Sequence, residues 1–160
     1  MGLDMSININ GNEAYYMRKH NAVRKWFADH LKDFEDNGTT RIYKEDFEAI
    51  LRDMKYVITT CGFEVFLDNY IKYEDYGLSN EDYDPVKEYR DFVENGGIKY
   101  KLFCEIADGM FPSSSGFFFG STSYNEWYIY DLICDYCEFL KLYNTEIDWD
   151  NDIVEYWEWY

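Results

Sequence analysis

One residue in five of this chain is aromatic: 12 Phe, 17 Tyr and 5 Trp among 160 residues. That decides what it can fold into. A chain of net charge −17 with little apolar surface would stay disordered, because burial could not offset the entropy of ordering it. Here 47% of the residues are hydrophobic, and a domain of this length buries about 70% of its unfolded surface. The expectation is a single acidic α+β domain spanning 1–160, its helices packed on a small antiparallel sheet.

Three stretches predict that sheet. Met5, Ile7 and Ile9 alternate with polar residues, the period of a half-buried strand over 5–9. Phe117–Phe119, set between Gly116 and Gly120, read as a short buried strand. Residues 153–160, IVEYWEWY, alternate again and could offer an exposed edge for self-pairing, so a homo-oligomer is possible.

Between the strands the periodicity is helical. Val23, Phe27, Leu31 and Phe34, with Trp26 beside them, predict a helix from Asn12 or Glu13 to about Asp36. In that reading Arg18, Lys25 and Lys32 line a second face. Further helices are expected over 43–56, 57–73, 86–95, 98–107 and 124–144. Ser121, Thr122 or Ser123 would cap the last, with Trp127, Asp131, Cys134 and Cys137 inward. An acidic, Tyr-rich loop fills 74–85.

Charge is unevenly spread. Residues 1–60 hold nine Lys/Arg against ten Asp/Glu, and residues 61–160 hold six against twenty-two. Such a surface repels nucleic acid and lipid headgroups and attracts basic proteins. No run of 18 apolar residues suggests a membrane span and no signal peptide opens the chain, so a cytoplasmic protein is expected. Cys134 and Cys137 lack the second ligand pair of a zinc site, because the only histidines are His20 and His30. They read as buried thiols, and neither metal nor cofactor is expected. With no nucleophile–histidine signature and no way to single out a carboxylate pair, the sequence points to binding rather than catalysis.

Three segments resemble a known group of sequences. Uncharacterised small phage and prophage proteins begin MGLDM. They continue with a segment like YYMRKHNAVRKWF (residues 15–27) and later carry one like SGFFFGSTSYNEWYIYDL (residues 115–132). Residues 57–110 depart from that pattern. The resemblance implies a mobile-element origin and an α+β domain, and it brings no activity with it.

Two sites compete. Glu74, Asp75, Glu81, Asp82 and Asp84 form one acidic cluster, and Asp148, Asp150, Asp152 and Glu155 another. They could pair with the Arg and Lys of a basic, nucleic-acid-handling host defence protein, such as a CRISPR effector or a restriction enzyme. Mimicry of DNA charge would then make the chain a phage-type inhibitor. The plainer reading is a solvated face. The other site joins Arg18, Lys19 and Asn21 to Ser114, Ser115, Gly116, Ser121 and Thr122. Guanidinium and ammonium groups beside a loop of small residues suit a phosphate or a nucleotide-like immune signal. Internal salt bridges and a turn with a helix cap are the plainer alternative. The serine loop lacks the lysine and spacing of a P-loop.

Overall fold

The computed structural model describes residues 2–76 and 84–160, with 71–76 described by backbone only. Strand β1 (Asp4–Ile9) turns through Asn10 and Gly11 into β2 (Asn12–Arg18). Both turn residues have positive φ, 53° and 79°, the geometry of a two-residue hairpin with the strand twist. Helix α1 (Asn21–His30), strand β3 (Thr39–Ile42) and helices α2 (Lys44–Thr60) and α3 (Glu64–Tyr76) follow. Then come α4 (Pro85–Glu94), α5 (Tyr100–Met110) and α6 (Glu126–Lys141), a π-helical turn over Leu142–Glu146, and strand β4 (Val154–Trp159).

The sheet is antiparallel with order β2-β1-β4-β3. Its inner face carries Met5, Ile7, Met17, Ile42, Val154 and Tyr156, all buried. The alternate residues, among them Tyr16, Arg18, Trp157 and Trp159, form the opposite face, where Tyr16 and Trp159 are exposed.

Helix α6 divides the core, packing against α2, α3 and α4. Towards the sheet, Phe139 meets Phe47 and Phe27, and Phe27 lies 4.5 Å from the Tyr156 ring. Towards the outer helices, Tyr128 meets Phe103, which meets Phe63; Phe63 and Phe66 both pack on Phe92, and Phe66 on Tyr89. One charge pair is sealed in as well. Glu158, wholly buried, accepts from Arg24 Nε at 3.2 Å and from the Tyr156 hydroxyl at 2.7 Å.

Several expectations need correction. The helix drawn over 12–36 is two elements, because Tyr15 and Met17 alternate as strand residues and Asn10-Gly11 is a hairpin signal rather than a helix start. Arg18, Lys25 and Lys32 therefore share no helical stripe. Strand β3 was not anticipated: Thr39–Ile42 is too short to show a clear period. Residues 117–119 form no strand. Phe119 N–H donates to Gly116 O in a turn, and Phe117 is 95% exposed. Lastly, the C-terminal strand is no edge, since β4 lies between β1 and β3. The helix expected over 57–73 is broken at Gly62, where φ is 79°.

Candidate functional site

The end of β2 and the start of α1 face the N-terminal half of α6 across a cleft. Its volume is about 180 Å³, and its lining includes Arg18, Lys19, His20, Ser121, Trp127 and Asp131 beside apolar Val23, Phe111 and Leu132. Residues 18–23 thus form one wall, and residues between 120 and 135, with Phe111 and Ser113, form the other.

Lys19 occupies the corner between strand and helix with φ of 60°. A side chain there adopts a left-handed conformation that costs energy unless held. It is held: Lys19 N–H donates to Leu3 O at 2.8 Å. The lysine stem also lies against Gly120, where a Cβ would meet it at 3.4 Å. Arg18 is 58% exposed, and its one ion pair among the described residues is a long contact of 3.8 Å to Asp4. Lys19 makes none among them. Several other cations are tied down, Arg24 to Asp36 and Glu158, Lys25 to Asp29, and Arg90 to Glu126, whereas the lysines that, like Lys19, carry no ion pair among the described residues, such as Lys32, Lys44 and Lys55, lie away from this cleft.

Asn21 does not line up as a ligand group. It is buried, and its amide donates to Phe119 O at 3.0 Å and Ser121 O at 2.9 Å, while its oxygen accepts from Ser114 N–H at 3.1 Å. Ser114 Oγ returns a bond to Asn21 O. Both residues clasp the 111–123 loop to α1, so their polar atoms are spent. Gly116 is architectural too, since a Cβ would sit 2.6 Å from the Phe119 ring. Ser115 is exposed and outside the cleft lining, as is Thr122, whose carbonyl accepts from Ser113 Oγ. Ser121 alone of the proposed loop residues remains at the cleft, accepting from Ser123 N–H through its hydroxyl. The cap of α6 is Asn125, which accepts from the N–H groups of Trp127 and Tyr128, rather than any of residues 121–123.

Opposite lies a group that the sequence reading missed. Trp127, Asp131 and Asp135 stand four residues apart on α6. Asp135 is buried and receives His20 Nδ1 at 2.7 and 2.9 Å through its two oxygens, and the Tyr15 hydroxyl at 2.9 Å. Asp131 lies 3.2 Å from His20 Nε2 and is 37% exposed. Burial opposes charge on His20, but Asp135 and then Asp131 outweigh it, raising the imidazole to about 10. At neutral pH His20 is therefore a cation. The signal available in the sequence was an aspartate in the middle of an apolar run, LICDYCEF. A buried carboxylate of that kind needs a partner. Trp127 was expected inward and is instead 58% exposed, because the buried face is the one carrying Tyr128, Leu132 and Phe139.

The acidic clusters are placed differently. Asp148 accepts from Asp150 N–H and from the Asn151 amide. Asp152 accepts from Asp148 N–H and from Asn10 Nδ2. These two carboxylates close their own turn and tie it to the β1–β2 hairpin. Asp150 is exposed, and Glu155 lies on β4 between its Cα partners Asn8 and Arg41. Asp84 caps α4 by accepting from Lys87 N–H. Glu74 and Asp75 fall in the last turn of α3, and Glu81 and Asp82 lie outside the described residues. Among the described residues no group of three His, Cys, Asp or Glu is arranged to hold a metal ion. No helix among them is long and apolar enough to cross a membrane.

Comparison with protein-family models, with curated proteins and with solved structures finds no match to this chain.

Proposed function

We propose that the chain binds a small anionic molecule of nucleotide type in the cleft between β2, α1 and α6, and acts by sequestering it. One observation carries this reading. In a protein of net charge −17, Arg18 and Lys19 are adjacent, exposed and largely without internal counter-ions among the described residues, and both line the same cleft. A cation with no partner in the fold is free to take one from solution. Phosphate oxygens pair well with a guanidinium fork and an ammonium group. The exposed Trp127 ring supplies a surface for a flat ligand.

Support also comes from the resemblance, because both of its segments 15–27 and 115–132 contribute residues to the cleft lining. In a phage setting, the ligand would be an immune signal of the host. Calorimetry with nucleoside mono- and diphosphates tests the reading. Arg18→Ala and Lys19→Ala should each weaken binding by about tenfold or more, roughly 1.4 kcal/mol. Absence of binding by any phosphate compound at millimolar concentration would remove the proposal.

The second reading, inhibition of a basic nucleic-acid-handling host protein through the acidic surface, is favoured by the excess of 32 Asp/Glu over 15 Lys/Arg. It uses a different part of the surface and does not exclude the first.

A further inference from the structure

The cleft pairs its cations with an aromatic ring and a carboxylate, a combination that bears on which nucleotide it would accept. We infer that Trp127 and Asp131 read the base of the ligand, and that the base they favour is guanine. This rests on the proposal that the cleft takes a nucleotide.

Trp127 and Asp131 are one turn apart on the same side of α6, a rise of about 6 Å. Trp127 meets Tyr130 edge-on at 6.2 Å and keeps more than half of its surface exposed. An indole so placed stacks on any base and discriminates little between them. Discrimination falls to Asp131. Its Oδ1 is 3.2 Å from His20 Nε2, and His20 is itself gripped by Asp135 through both carboxylate oxygens. The Asp131 carboxylate is thereby oriented by a fixed neighbour before any ligand arrives. Each carboxylate oxygen has more than one lone pair, so engagement with His20 leaves acceptor capacity on both.

An ionised carboxylate offers acceptors only. Guanine presents two adjacent donors, N1–H and the N2 amine, and can meet both oxygens at once. Adenine and cytosine set a ring-nitrogen acceptor beside the amine, which would face the carboxylate lone pairs. Uracil flanks its one N–H with two carbonyls. Guanine is thus the one common base whose edge complements Asp131 without a repulsive contact.

The size of the cavity agrees. At about 180 Å³ it is smaller than the roughly 300–1,000 Å³ of pockets that engulf a drug-sized ligand. It suits one ring system, with the phosphate at the rim beside the exposed Arg18 and Lys19.

The test is calorimetric titration of the full chain with GMP, IMP, AMP and ribose 5-phosphate. GMP should bind tightest, IMP less tightly for want of the N2 amine, and AMP at least about tenfold more weakly than GMP. In Asp131→Asn one acceptor becomes a donor, so the GMP/AMP ratio should fall towards one while ribose 5-phosphate is unaffected. Equal affinities for GMP and AMP in the unaltered protein would overturn guanine selection and leave the nucleotide reading standing. Ribose 5-phosphate binding as tightly as GMP would show that the base is not read at all. Failure of all four compounds would remove the nucleotide reading itself. The ranking in the unaltered protein decides the matter even where Asp131→Asn does not fold.

Discussion

A carboxylate as deeply buried as Asp135 must be paired, or it destabilises the fold by several kcal/mol. Burial pushes its carboxyl above the usual carboxylate range, while the His20 imidazolium and the Tyr15 hydroxyl pull it back. His20 carries the proton, and linkage follows from its raised value. Unfolded, the imidazole titrates near 6.5, and folded near 10. The folded protein therefore binds more protons between those values, so stability falls as pH rises through them. The contribution is complete below about 6.5 and gone above about 10. Urea unfolding from pH 6 to pH 10 should show this decline, and His20→Gln should flatten it. An unchanged slope in the variant would place the decline on groups other than His20. Asn21 acts without charge. It supplies donors to two carbonyls of the 111–123 loop, and each carbonyl left unsatisfied on burial costs roughly 1–3 kcal/mol.

Among the strands, β4 is one of the two interior ones. It pairs with β1 through residues 154–159 and with β3 through 154–157, so it satisfies backbone groups on both sides. Truncation after Ile153 should abolish cooperative unfolding by circular dichroism, since β3 then loses its partner strand and Phe27 loses Tyr156. Retention of a native-like melt would show that the helices hold the fold without the sheet. The sequence made some of this legible and some not. Strands β1 and β4 were readable because each presents a clean period of two with one face buried. Helices α2, α4 and α5 were readable from apolar spacing and their breakers. β2 was misassigned because NEAYYMRKHNAVRKWF satisfies a helical period when β2 and α1 are read as one segment. Nothing local marks the reversal at Lys19, whose positive φ depends on contacts with Leu3 and Gly120. For the same reason the cleft was only half foreseen. Arg18 and Lys19 could be named from their charge, but His20 and Asp135 meet only in the folded chain, 115 residues apart.

For the whole molecule, charge sets the long-range behaviour. The surface carries a large excess of carboxylates, which would draw a basic partner and be screened by salt within about 10 Å at 0.1 M. Under the inhibitor reading, capture of a basic nucleic-acid-handling protein should weaken steeply from about 0.05 to 0.5 M salt. Reversal to Lys at Asp150 and Glu155 should weaken it further. Those two positions are the useful ones to change, because Asp148 and Asp152 close their own turn and reversal there would disturb the fold. Capture insensitive to both salt and reversal would dismiss charge mimicry.

The placement of β4 between β1 and β3 also governs when the protein can assemble during its own synthesis. The β1–β2 hairpin is local and can form as soon as it leaves the ribosome. The free side of β1, and the whole of β3, must then wait while the chain from Ile9 to Val154 is made. Folding dominated by such distant pairings is slow, and it leaves strand edges open to other chains in the meantime. The cleft feels this delay less, because the hairpin end, α1 and the 111–132 segment that form it are all translated before the last strand arrives.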